Sequence, residues 1–211
     1  MSPPVGPTGL PENCDGSSPP SWQVTSAVAT MATTIVFDAD VSVRETVVTA
    51  TLGKFATPRV GWSITAGGVV DGSIDDRPVR GGGTVAGALT WLAVYERDRR
   101  PFVSASFSLG ALVLRAVADD DSSRTLSAWD VRAGAMVGKT FAGAVVPYAA
   151  VRVFGGPVFW RLGGKGVVGG DRYHVTAGLG LVLRLPARLS VSLEGMPLGE
   201  RSAAGAIGWR F

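Results

Sequence analysis

The stretch Tyr173-His174-Val175-Thr176-Ala177-Gly178-Leu179-Gly180-Leu181-Val182-Leu183-Arg184-Leu185 decides the reading of this chain. Its odd positions are all apolar or aromatic. Its even positions are small or polar, Val182 excepted. Period two is the mark of a β-strand, because successive side chains leave opposite faces of the backbone. After Pro186-Ala187-Arg188 the alternation resumes, with Leu189, Val191 and Leu193 against Ser190, Ser192 and Glu194. The last segment sets Ala203, Gly205, Ile207, Trp209 and Phe211 opposite Ala204, Ala206, Gly208 and Arg210.

Working back towards the start, the same pattern recurs. Trp129, Val131, Ala133, Ala135 and Val137 oppose Asp130, Arg132 and Gly134. Val103, Ala105, Phe107, Leu109, Ala111 and Val113 oppose Ser104, Ser106, Ser108 and Gly110. Val60, Trp62, Ile64 and Ala66 oppose Gly61, Ser63, Thr65 and Gly67. No helical spacing of apolar residues runs for more than a turn or two. These segments predict ten strands, near 24–37, 42–54, 58–71, 84–96, 101–117, 125–138, 145–157, 172–185, 188–196 and 203–211. The first two alternate poorly, since Val47 and Val48 are adjacent and Arg44-Glu45 interrupts the apolar face. A barrel of eight strands starting near Val60 is therefore the structural alternative. Residues 1–21 contain six prolines and no hydrophobic period, and read as a disordered tail ahead of a single domain over 22–211.

The content of the two faces sets the class. Of the 211 residues only 18% are charged and 46% are hydrophobic, with 29 glycines. A soluble barrel would hide its bulk and show Lys, Glu and Asp. Here the bulky face carries almost no charge, while the other carries Gly, Ala, Ser and Thr with sparse charges. That arrangement fits a lipid-facing exterior around a narrow interior. Backbone groups in lipid have no water to bond, so an all-β membrane protein must close on itself. The fold class expected is thus an all-β, closed antiparallel up-and-down transmembrane barrel, with a soluble ligand-binding barrel as the competing architecture. Trp62, Trp91, Tyr95, Trp129 and Tyr173 lie towards strand ends, where interfacial aromatics belong.

The segment Ile207-Gly208-Trp209-Arg210-Phe211 ends the chain on an aromatic with apolar partners at every second position. It resembles the C-terminal assembly signal of small bacterial outer-membrane β-barrel proteins, at the level of the class and of no family within it. The resemblance implies a Gram-negative outer-membrane location and recognition of Ile207, Trp209 and Phe211 by the barrel-assembly machinery. Both chain ends then lie in the periplasm, and the expected outer loops are 38–41, 72–83, 118–124, 158–171 and 197–202. Met1-Ser2-Pro3-Pro4 has neither the basic nor the apolar region of a secretory signal, so that location requires a leader these residues do not supply. Outer-membrane lipids are the expected partners of a monomer.

Several function classes fall away. The net charge of +3 comes from scattered single basic residues without interleaved aromatics, which argues against nucleic acid. Cys14 is the single cysteine, in what reads as the flexible tail, so no disulfide can form within the chain. No Cys/His/Asp cluster has metal-ligand spacing, and no cofactor is expected. Ala133-Gly134-Ala135-Met136-Val137-Gly138-Lys139-Thr140 fits a relaxed phosphate-loop pattern, but no helix follows to hold a phosphate. Gly164-Lys165-Gly166-Val167-Val168-Gly169 matches a dinucleotide fingerprint yet precedes a strand, and reads as a glycine-rich loop. A lipid hydrolase would need His174, the single histidine, as its base, with an inner-face serine and Glu194 to orient it. A protein without catalytic activity is the leading expectation, in a structural, surface-interaction or minor transport role. Parity turns Asp130, Arg132, Arg152, Arg184, Glu194 and Arg210 inward, along with Tyr148. They predict a net-positive network of charges that fills the lumen.

Overall fold

The computed structural model describes residues 14–17, 20–75, 77–117, 123–162 and 165–211. Among them are twelve strands in chain order: β1 (Ser21–Val36), β2 (Asp40–Phe55), β3 (Val60–Ile74), β4 (Arg77–Val94), β5 (Phe102–Val117), β6 (Ser123–Gly138), β7 (Val145–Gly155), β8 (Val158–Leu162), β9 (Lys165–Asp171), β10 (Val175–Arg184), β11 (Leu189–Leu198) and β12 (Arg201–Arg210). Every strand pairing is antiparallel, and β12 returns to β1 to close the ring. The wall is a closed ten-stranded barrel. Closure reaches the last residue, where Phe211 and Trp22 exchange two backbone hydrogen bonds of 3.1 Å.

Twelve strands make a ten-stranded wall because two pairs are interrupted continuations. β6 pairs Val131 with Gly155 of β7 and, in unbroken register, Ala128 with Val158 of β8. The Gly156-Pro157 step between them removes a backbone donor at Pro157, but the Pro157 carbonyl still accepts from Trp129 at 3.1 Å. β9 runs on into β10 in the same way on the other arm of this hairpin.

The next hairpin is much shorter: β11 and β12 have ten residues each, against sixteen in β1. β1 therefore runs beside β12 from Gln23 to Ala32, then meets β9 at Ile35 and Val36 above the β11–β12 tip. The wall narrows from ten strands in its lower part to eight at the rim farthest from the chain ends. The eight-stranded alternative thus fails for the barrel as a whole, since β1 and β2 are integral members.

The predicted outer loop 158–171 is instead a hairpin built from β8 and β9, with residues 163–164 outside those described. The expected loop 72–83 shrinks likewise, because β3 extends to Ile74 and β4 starts at Arg77. Glycines caused both misreadings. A strand in a closed wall has its backbone partners supplied on both sides, so glycine need not end it, and it admits close approach. A Cβ on Gly82 would stand 2.3 Å from the Val113 carbonyl oxygen.

The exterior is an apolar belt. Val28, Leu52, Ile64, Leu89, Leu109, Val131, Val153, Leu179, Leu193 and Ile207 all face outward and exposed. That exterior excludes the soluble-barrel alternative, whose bulk would be inside. Trp91, Trp209 and Phe211 mark one edge of the belt, and Trp129 and Tyr173 the other. Trp62 is half-buried at the first edge, edge-on to Trp22 at 5.6 Å. Tyr95 departs from this set. A bulge between Leu92 and Val94 reverses the parity of β4, and turns Tyr95 towards the lumen mouth against the core there.

Candidate functional site

The interior is stacked in three tiers. The outer tier is apolar, built from Met31, Ile35, Val43, Ile74, Leu112, Leu114, Leu126 and Trp160, all almost fully buried. This explains the poor alternation of the first segments. The inward row of β2 is Val41, Val43, Glu45, Val47, Thr49 and Thr51, and its outward row is Asp40, Ser42, Arg44, Thr46, Val48, Ala50 and Leu52, so the apolar side chains point inward near the outer rim and outward only deeper in the wall. Burial of each such side chain stabilises by about 1.5–3 kcal/mol, much as in a soluble core.

The middle tier is ionic and splits into two clusters. Arg132 donates from Nε to Asp130 at 2.5 Å, and from its two Nη groups to Glu200 at 2.9 and 3.1 Å. Its guanidinium also lies 4.8 Å over the Phe154 ring. Glu200 sits at the tip of the β11–β12 hairpin and is fully buried. That tip is tied down by the Thr176 hydroxyl, in contact with the Leu198 and Glu200 carbonyls at 2.8 and 3.0 Å. In the second cluster Arg152 grips Glu194 with two hydrogen bonds, 2.8 and 2.7 Å long, and the Tyr148 hydroxyl adds a third at 3.0 Å. Two-pronged pairs of this kind are the strong form of a buried ion pair.

Glycines make room for the second cluster. Tyr148 pairs across the sheet with Gly138 on β6 and Gly180 on β10. Its ring lies flat on Gly180, where a Cβ would come within 2.1 Å of Cζ.

The inner tier lies near the chain ends. Leu92, Phe102, Val146 and Val182 pack there around Cys14. Cys14 is thus a lumen residue, a correction to its reading as part of a flexible tail. Its carbonyl accepts from the Glu96 amide at 2.7 Å, and Arg184 reaches its Sγ at 3.6 Å. Burial pushes the thiol up to about 11. Residues 1–13 and 18–19 of the predicted tail lie outside those described.

The structure brings Asp130 to Arg132 and Glu194 to Arg152, while Arg184 stands apart beside Cys14. Arg210 is buried on the inward face of β12. Sequence reasoning missed Glu200 and Glu45. Glu200 fell in a predicted loop, where parity assigns no face, although the spacing of Thr176 and Gly199 offers no signal either. Glu45 appeared to interrupt an outward face, whereas it points inward, nearly unexposed, with neither carboxylate oxygen hydrogen-bonded. Asp171 is buried as well. With these three, the interior is no longer net positive: the four arginines meet five carboxyl groups among the described residues.

The hydrolase constellation does not assemble. His174 lies exposed at the break between β9 and β10, with Nδ1 3.3 Å from the Phe154 carbonyl oxygen. Glu194, which that reading places beside it, is bound to Arg152 and Tyr148. The parity that turned His174 inward fails because the strand is interrupted there. In the phosphate-loop pattern, residues 133–138 lie within β6. Lys139 and Thr140 hold Glu96 of the neighbouring turn, at 3.4 Å and at 2.7 and 2.8 Å. Lys165–Gly169 of the second glycine motif belong to β9. Among the described residues, no group of three or more His, Cys, Asp or Glu is arranged to hold a metal ion.

No protein-family model and no curated protein matches the chain. Solved structures do. The translocator domain of the autotransporter NalP from Neisseria meningitidis is 13% identical, with a TM-score of 0.49, over 90% of this chain and 88% of that one. The Pseudomonas putida toluene transporter TodX is 10% identical, with a TM-score of 0.30, over 94% of this chain and 90% of that one.

Proposed function

We propose that this protein is an integral outer-membrane barrel of a Gram-negative bacterium. In this reading it serves a structural or surface-interaction role and conducts no solute in its resting state. One observation carries the proposal: among the described residues the lumen is occupied at three levels, by an apolar core near the outer rim, two ion-pair clusters at mid-height, and a second apolar cluster that includes Cys14. A barrel of eight to ten strands is just wide enough for side chains to fill. The apolar belt with its two aromatic edges supports residence in a bilayer, and the C-terminal resemblance supports delivery by the barrel-assembly machinery. A filled, rigid barrel leaves its outer rim, including the β8–β9 hairpin, as the surface through which it would act.

Planar-bilayer recording tests this. The wild-type protein is expected to give no stable open-channel current. Arg152→Ala combined with Glu194→Ala is expected to give intermittent leak, because the middle tier then loses its ties. Large, steady currents from the wild type would refute the plugged reading.

A further inference from the structure

The lipid-facing wall where β10, β11, β12 and β1 meet is hollow. Thr30, Gly195, Ala203 and Gly205 put little bulk on the outer surface, and Val28, Leu179 and Leu193 stand proud around them. The result is two adjoining shallow, open hollows, which share Thr30, Leu179, Gly195 and Ala203. The hollow nearer the outer rim ends at two cations. Arg44 on β2 and Arg201 on β12 both pair with Ala32 of β1, one from each side. Both face outward and exposed, and among the described residues neither makes an ion pair or a hydrogen bond.

The level of this pair matters. Ala32 lies just below the point where β1 exchanges β12 for β9, and there Arg172, the neighbour of Tyr173, donates its backbone amide to the Thr34 carbonyl at 3.0 Å. Tyr173 belongs to the outer aromatic edge, so Arg44 and Arg201 stand where the apolar belt gives way to headgroups. An unpaired guanidinium at mid-bilayer is costly, but at the interface it can meet an anion. Strands lie about 4.8 Å apart, which puts the two Cα atoms roughly 10 Å from each other across Ala32. Two long side chains can converge over that methyl on a single phosphate, for which guanidinium forks are well shaped. Asp71 of β3, exposed opposite Thr46, lies one step deeper in the wall.

We propose that this wall binds one phosphate-bearing lipid of the outer leaflet, with its phosphate between Arg44 and Arg201 and an acyl chain in the hollow beneath. The inference rests on the outer-membrane reading. It is tested by native mass spectrometry of the full chain released from detergent micelles, after titration with diphosphorylated lipid A, its dephosphorylated form, or inorganic phosphate. Heat-dependent gel migration of every sample reports the folded barrel. One bound diphosphorylated lipid is expected on the wild type, weakened by at least about tenfold in Arg44→Ala/Arg201→Ala and largely retained in Arg44→Lys/Arg201→Lys. Ala203→Leu, which fills the hollow and leaves both arginines, is expected to weaken it too. Equal retention of the dephosphorylated lipid, or displacement by inorganic phosphate at matching concentration, would overturn the site while the barrel reading stands. Failure of the wild type to fold in detergent or insert into vesicles would overturn both.

Discussion

Replacing Glu200 with Ala is expected to be among the most damaging single changes in the lumen. Both carboxylate oxygens of Glu200 accept from Arg132, at 2.9 and 3.1 Å. Glu200 is fully buried and Arg132 is 8% exposed, so water is poorly placed to replace the lost partner. Arg132 would keep Asp130 on Nε and lose the two-pronged bond of its Nη groups to Glu200. Removing one member of a buried pair costs about 3–5 kcal/mol, because the other charge stays buried. With a urea slope of about 2 kcal/mol per molar, the unfolding midpoint falls by roughly 2 M. Glu200→Gln keeps the shape and one good acceptor, and is expected to lose about 1–3 kcal/mol. Arg132→Met combined with Glu200→Leu removes both charges but costs Asp130 its bond to Arg132, so it should recover only part of the loss. The comparison is Asp40→Ala, which breaks the Arg172–Asp40 pair on the outer rim, where both side chains are about half exposed. That change is expected to cost at most about 1 kcal/mol. Urea titration of the barrel in lipid vesicles, followed by tryptophan fluorescence and by gel migration, measures all four variants. If Glu200→Ala shifts the midpoint no more than Asp40→Ala, the buried pair contributes nothing special and the reasoning fails.

Gly180→Ala drives a Cβ to within 2.1 Å of the Tyr148 ring, so Tyr148 must leave Glu194, at an expected cost of about 1–3 kcal/mol. Gly166→Ala meets nothing within 4 Å and should be close to neutral in the same titration. Cys14 is expected to react slowly with maleimide at pH 8 in the folded barrel and quickly once unfolded. Because burial raises the folded thiol above its unfolded value, the folded state holds that proton more tightly, and stability should fall as pH rises from about 9 towards 11. Equal labelling rates in the two states would place Cys14 outside the lumen. Deleting Phe211 removes the residue that closes the ring with Trp22, and is expected to reduce accumulation of the protein in the outer membrane. Unchanged accumulation would count against an assembly signal at this end.

Much of the candidate site was legible from parity alone. Strand geometry sends Asp130, Arg132, Arg152 and Glu194 to one face, and low dielectric pairs them. The partners chosen were less legible. Arg132 takes Glu200 from a hairpin tip sixty-eight positions away, and such a choice depends on where β11 ends. Parity also fails wherever a strand is bulged or broken, which is why Tyr95 and His174 are not where alternation puts them.

Alternation over Trp129–Val137, Tyr173–Leu185 and Ala203–Phe211, with bulk on one face and small residues on the other, determined by itself that the chain makes a closed membrane barrel. Period two needs no knowledge of distant residues, since it follows from the pleat. What only the tertiary structure decided is how the ring closes and what fills it. The short β11–β12 hairpin lets β9 pair directly with β1, and this narrows the outer rim to eight strands. The same closure brings apolar side chains from both ends of the chain into one core. There the inward face of β2 carries Val41, Val43 and Val47 while its outward face carries Asp40, Ser42, Arg44 and Thr46, so the sense of the alternation inverts along the strand and hydrophobicity alone no longer marks the outside. Such convergence depends on curvature and strand length together, which no local pattern encodes.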